Sequence, residues 1–213
     1  MDIVKKEYQK AYKKYGKAKE SLFIPKGRQK ERFELLTNHI HEENFSILDF
    51  GCGFGDLREF LKNKYTDFSY MGVDIVGDFI RENKKVSVNE FMLINNVDDV
   101  VEKYKYISIS GAFNMSYFEN DLESHELKVY DVLQKLFEEN LKDNGVLSVD
   151  FMSDEVDYIQ DGAYHVNVAK MYDFLSKNLS RRVSFDKSVF PYEITFKIFK
   201  NQNINRESSL YAN

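Results

Sequence analysis

The chain is 213 residues long, 43% hydrophobic and 31% charged; at about 150 residues per domain it reads as one globular domain, and disorder throughout is excluded. A single cysteine rules out an internal disulfide and a cysteine-built zinc cage and fits a reducing cytoplasm, while no apolar run nears the roughly 18 residues of a membrane span and the N-terminus has no apolar signal core. The net charge of −5 is divided unevenly: residues 1–32 carry 11 Lys/Arg against 4 Asp/Glu and the remainder 19 against 31, so the acidic body is a poor surface for a nucleic-acid backbone.

Val4, Tyr8, Ala11, Tyr12 and Tyr15 recur at i, i+4, i+7, i+8 and i+11, which predicts a first helix with an aromatic stripe and lysines elsewhere. Pro25-Lys26-Gly27 breaks it, and Gln29–Ile40 reads as a second amphipathic helix through Phe33, Leu36 and Ile40. Residues 1–32 are expected to form a basic helical lid on a single domain of residues 1–200, with 201–213 a polar tail. Next come a strand at Phe45–Phe50, the run Gly51-Cys52-Gly53-Phe54-Gly55, a helix over 56–64, a strand over 68–73 ending at Asp74 and a short helix over 77–84. A strand at 90–94 leads to Asn95-Asn96, then one or two helical turns in 97–103 and a strand over 104–110. A long helix over 120–142 is expected to stop at Asn144-Gly145, with His125 on its exposed face. A strand at 146–152, a helix at 168–179 and an antiparallel pair, 182–189 with 193–199, complete the pattern.

Strands alternating with helices predict an α/β fold: a mostly parallel seven-stranded sheet with an antiparallel last hairpin and helices on both faces. Ligands in such sheets sit beyond the carboxyl ends of the strands. The glycine run, Asp74, Asn96 and Ser110-Gly111 all follow strands, so they converge on one edge. Glycines between a strand and a helix let backbone approach a ligand, and the next helix turns its N–H groups toward it. Asp74, 23 residues after Gly51, is placed to accept bonds from both hydroxyls of a ribose. The dinucleotide pattern G-x-G-x-x-G is not met, because Asp56 stands where its third glycine belongs. A carboxylate there argues against a pyrophosphate and suits a ribose-bearing ligand without phosphate.

Leu48-Asp49-Phe50-Gly51-Cys52-Gly53-Phe54-Gly55 resembles the first motif of the class I S-adenosylmethionine-dependent methyltransferases, a hydrophobic strand and an acid leading into G-x-G-x-G. The resemblance spans about residues 29–200 and implies a Rossmann-like fold with S-adenosylmethionine as cofactor. Asp49, Gly51, Cys52 and Gly53 would form the cofactor loop, and Asp74 with Ile75 would meet the ribose. Asn96 and Val97 would lie beside the adenine, where the family usually has Asp. Ser110 and Gly111 would line the methionine part, and one of Arg28, Gln29 and Arg32 would bind its carboxylate. The residues Arg28–Phe33, Gly51–Leu57 and Ser110–Asn114 also look like small bacterial and archaeal members of unassigned substrate.

For the acceptor, the segments after the fourth and fifth strands supply Asn114 and Tyr117, then Tyr158, Tyr164 and His165, with Glu193 in the closing hairpin. Aromatic walls with a few polar tips predict a small-molecule acceptor taking a methyl group on O or N, with His165 and Asn114 as the catalytic candidates. RNA, protein or a non-catalytic nucleoside-binding role are the competing readings. No metal is expected, since the rings of His39-x-His41 diverge on a helix end.

Overall fold

Phe45 and Ile47 project to one side of their strand and Leu48 and Phe50 to the other, so this apolar run needs cover on both faces. The computed structural model, which describes residues 2–23, 28–116, 121–159 and 162–201, sets it as β1 (Phe45–Phe50) in the middle of an eight-stranded sheet. The others are β2 (Phe68–Asp74), β3 (Phe91–Leu93), β4 (Tyr104–Ile109), β5 (Leu141–Ser153), β6 (His165–Val166), β7 (Val183–Asp186) and β8 (Glu193–Phe199). Their order is β3-β2-β1-β4-β5-β8-β7, with β6 paired to the end of β5. β1 to β5 run parallel, and β8 runs antiparallel to both β5 and β7. The expected sheet is therefore present, with β6 as an extra strand of two residues, too short to leave a periodic signal.

The helices are α1 (Asp2–Tyr15), α2 (Gln29–Thr37), α3 (Asp56–Lys62), α4 (Gly77–Lys84), α5 (Leu122–Lys135) and α6 (Val168–Phe174), the last two each extended by a π turn. α5 and α6 cover one face of the sheet through Val129, Leu133, Met171 and Leu175. α2, α3 and α4 cover the other through Phe33, Leu36, Leu57, Leu61 and Ile80. A third cluster ties the N-terminal head, residues 2–23, to the body: Tyr8, Tyr12 and Leu22 pack on Phe54, Val76 and Phe79. The ring of Phe79 lies 5.9 Å from Tyr8, 6.1 Å from Tyr12 and 4.7 Å from Phe54, and its side chain is fully buried. Phe79→Ala is expected to destabilise the fold by about 3–5 kcal/mol, read from urea unfolding by circular dichroism. A loss below about 1 kcal/mol would mean that this cluster does not pack as described.

Three expectations change. The helix expected to reach residue 142 ends at Asn140, whose buried amide donates to the carbonyls of Val100 and Glu102, and β5 starts at Leu141. Gly145 is inside β5 and not a helix cap; a Cβ there would come within 2.7 Å of the Lys105 carbonyl oxygen, so the close passage of two strands explains the residue. His125 is fully buried, its Nε2 3.1 Å from the Phe113 carbonyl and its ring 4.4 Å from that of Tyr164. It falls on the same helical face as Val129, Val132 and Leu133, and that periodicity outweighs its charged neighbours. The Pro25-Lys26-Gly27 turn and residues 202–213 of the tail lie outside the described residues.

Candidate functional site

The strand order reverses between β1 and β4, and the segments that leave these two strands meet. Gly51, Gly53 and Gly55 all have positive φ. A Cβ on Gly51 would stand 2.6 Å from the Cβ of Ala112, so the loop after β1 and the turn after β4 touch where only a glycine fits. Between them opens a cleft of about 1370 Å³. Its floor includes Asp49, Gly51, Cys52, Gly53, Asp74, Ile75, Ser110 and Gly111, and its near wall is the head, through Tyr8, Tyr15, Leu22 and Phe23.

Two buried carboxylates lie at the floor. Asp74 ends β2 and accepts the N–H of Gly53 through Oδ2 at 2.9 Å and that of Val76 through Oδ1 at 2.8 Å. Burial pushes it up to about 6 despite those bonds. Asp49 accepts the Tyr70 hydroxyl at 2.6 Å; burial pushes it up to about 7, and the nearby Asp74 adds to the shift. Tyr8 of α1 is close enough to Asp74 for that charge to raise its phenol further above a value already lifted by burial. On the β4 side, Ser110 Oγ and the Gly111 N–H both donate to Asp150 of β5, at 2.8 and 2.7 Å. Burial lifts Asp150 to about 6, while the charge of Arg32 draws it down.

Gln29 and Arg32 line the cleft. Arg32 is held by Glu193, donating from Nε at 2.6 Å and from a terminal nitrogen at 2.5 Å, and Glu193 borders the cleft as well. Arg28 does not line it; it is exposed, 5.8 Å from the centre of the Phe190 ring. Asn96 and Val97 are also away from it. Asn96 Oδ1 accepts the Asp98 N–H at 2.7 Å, capping its own turn, and Val97 is core. β3 ends early and the Ile94 N–H bonds to the Asp74 carbonyl, so Ile94 is the residue that faces the cleft there. Asn114 lines the cleft, its Oδ1 accepting the Met152 N–H at 3.3 Å. Tyr164 does not; it is buried against His125, with its backbone N–H bonded to the Asn114 carbonyl. His165 and Tyr158 line a smaller cavity of about 260 Å³ that shares Met152 and Glu193 with the main cleft. Tyr117 lies outside the described residues.

Neither family models nor curated proteins match this sequence. Solved structures do. The plantazolicin methyltransferase BpumL, solved with a desmethylPZN analog and SAH, is 14% identical, with a TM-score of 0.60 over 94% of this chain and 98% of that one. Magnesium protoporphyrin IX methyltransferase from Synechocystis PCC 6803, solved with SAH, is 14% identical, with a TM-score of 0.57 over 80% and 81%. The PH0226 protein of Pyrococcus horikoshii OT3 is 16% identical, with a TM-score of 0.57 over 82% and 92%. The chain has the class I methyltransferase fold.

Within this methyltransferase fold the chain supplies several braces that the motif reading missed. Asn83 of α4 is buried and donates to the Gly53 carbonyl at 2.8 Å, fixing the loop from outside. Tyr70 holds Asp49, Asp150 holds the turn at residues 110–111, and Leu22 covers Gly53 from the head. Asp150 alone left a trace in the sequence, as the one charged residue in the run Val146–Met152. Among the described residues no group of three or more His, Cys, Asp or Glu side chains is arranged to hold a metal ion, and no helix is long and apolar enough to cross a membrane.

Proposed function

We propose that this chain binds S-adenosylmethionine in the main cleft and transfers its methyl group to an O or N of a small-molecule acceptor. The observation that carries the reading is the positive-φ loop at Gly51–Gly55, pressed against the turn after β4 with the Asp74 carboxylate beside it at the point of strand reversal. That geometry fits the cofactor's adenosyl part: a glycine loop turned by positive φ at the floor of the cleft, and a buried acid for paired hydroxyls. When bound, the cofactor supplies a methyl group already activated on a sulfonium sulfur.

The residues then have distinct tasks. Gly51, Cys52 and Gly53 form the cradle, and Asp74 and Ile75 meet the ribose. Asp49 stiffens the loop through Tyr70, and Ser110 and Gly111, held by Asp150, border the methionine side with Gln29 and Arg32. The head acts as a lid: Tyr8, Leu22 and Phe23 line the mouth and exclude water, which strengthens every polar contact inside. Asn114 and His165 orient the acceptor, His165 through a ring whose Nδ1 is 2.9 Å from the Ser153 carbonyl, a contact that sets that nitrogen as the donor. The single cysteine supports a reducing, cytoplasmic setting.

Calorimetric titration with S-adenosylhomocysteine is the first test; absence of binding to folded protein removes the reading. The second compares acceptors. His165→Ala and Asn114→Ala are each expected to lower turnover about a hundredfold and to leave S-adenosylhomocysteine affinity within about twofold. Methylation of RNA or protein with no small acceptor used would replace the acceptor class and keep the cofactor.

A further inference from the structure

The smaller cavity, about 260 Å³ and adjoining the main cleft through Met152 and Glu193, is bordered by Asp157, Tyr158, His165 and Tyr192. Its volume suits a group the size of one amino-acid side chain or a small aryl ring. Two features set its chemistry. The first is aromatic: Tyr158 and Tyr192 are 76% and 50% exposed, so large ring faces stand at its mouth that the core does not use. The second is charge. The segment after β5 carries Asp154, Glu155 and Asp157, and Glu193 of β8 lines the same cavity as Asp157. Glu155 is matched by Lys187 and Glu193 by Arg32. Asp154 instead takes the neutral amide of Asn167 at 2.7 Å, and Asp157 the neutral hydroxyl of Tyr192 at 3.3 Å. Of the two acids that line the cavity, Glu193 is thus paired with Arg32, whereas Asp157 is held by a neutral partner and keeps its charge unmatched beside two tyrosine rings.

We propose that this cavity is the acceptor subsite and that it takes a molecule bearing a positively charged nitrogen, a small amine with an apolar or aryl body. The inference rests on the cofactor reading of the adjoining cleft. A cation is drawn by the ring faces and by a carboxylate at once, an anion is repelled by the acids, and a neutral analogue has only apolar contact. Met152 and Glu193 belong to both spaces, so a molecule seated in the smaller one extends into the cleft beside Asn114. Arg32 pairs with Glu193, which lines both spaces.

The test uses the full chain saturated with S-adenosylhomocysteine and three probes of like shape: phenethylamine, 2-phenylethanol and 3-phenylpropionate, each titrated by ligand-detected NMR at 20 to 150 mM salt. Phenethylamine is expected to bind about tenfold more tightly than the alcohol and the propionate more weakly than either, with the difference shrinking as salt rises. Asp157→Asn and Tyr158→Ala alter exposed side chains that the fold does not need; the first is expected to weaken the amine about three- to tenfold with the alcohol nearly unchanged, and the second to weaken both, the amine more. Equal binding of amine and alcohol, tighter binding of the propionate, or indifference of the amine to both substitutions overturns the assignment while S-adenosylhomocysteine still binds. If S-adenosylhomocysteine itself fails to bind, the cofactor reading falls and this one with it.

Discussion

Replacing Asp74 by alanine is expected to weaken S-adenosylhomocysteine binding by about 1–3 kcal/mol, up to roughly a hundredfold in Kd. The carboxylate has two tasks that vanish together. In the proposed site it would offer its remaining lone pairs to the ligand, and it accepts the backbone N–H groups of Gly53 and Val76. The variant leaves those two buried donors without acceptors, so a drop in Tm should accompany the loss of affinity. Asp74→Asn keeps an acceptor for one of the two backbone donors and sets its amide N–H group against the other, so it should retain only part of the stability and less of the affinity. Unchanged calorimetric affinity in folded Asp74→Ala would remove Asp74 from the site.

The same carboxylate gives the cleft a pH dependence whose sign follows from burial. Asp74 and Asp49 are raised to about 6 and about 7 in the folded chain. Both hold protons more tightly folded than unfolded, so their contribution to stability is complete below the ordinary Asp value and is lost as pH rises through 6 and 7. A ligand whose hydroxyls donate to Asp74 prefers the ionised form and acts in the opposite direction. S-adenosylhomocysteine affinity should therefore rise between pH 5 and 7, and Asp74→Ala should flatten that slope. A flat profile in the parent chain would mean that Asp74 does not meet the ligand as a carboxylate.

What the sequence disclosed, and what it hid, divides by distance along the chain. β1 and its glycines, and Asp74 at the end of β2, were legible because each is a local pattern of apolar alternation and punctuation. The head was legible as a helix from its tyrosine stripe, and Tyr8 and Tyr12 do meet the body. Asp150, Asn83 and Tyr70 act on residues 39, 30 and 21 positions away, and no short pattern announces such pairs. Residues after strand ends were the hardest. Asn114, Tyr164 and Asn96 all follow strands, yet the first turns into the cleft, the second into the core and the third onto its own turn. That choice depends on the path of the loop, which periodicity does not encode. Local charge misled once, at His125, where the helix's buried face decided the outcome.

Gly51→Val should abolish detectable S-adenosylhomocysteine binding, a loss beyond about a hundredfold, while the sheet still forms. Two costs combine. Gly51 sits at φ +81°, a conformation that a β-branched residue rarely adopts. The new Cβ would also stand 2.6 Å from the Cβ of Ala112. The turn that carries Ala112 cannot readily yield, because Asp150 holds the Gly111 N–H and the Ser110 hydroxyl. The loop after β1 must therefore give way, and its movement pulls the Gly53 N–H from Asp74. Gly16→Ala separates the two costs: its φ is +66°, yet an added Cβ meets nothing within 4 Å. That variant should lose about 1 kcal/mol of stability and bind S-adenosylhomocysteine normally. Normal binding by Gly51→Val would show that the contact between the two loops does not define the cleft. Impaired binding by Gly16→Ala would instead show that a disturbance of the N-terminal segment reaches the cleft, whose wall includes Tyr15, Leu22 and Phe23.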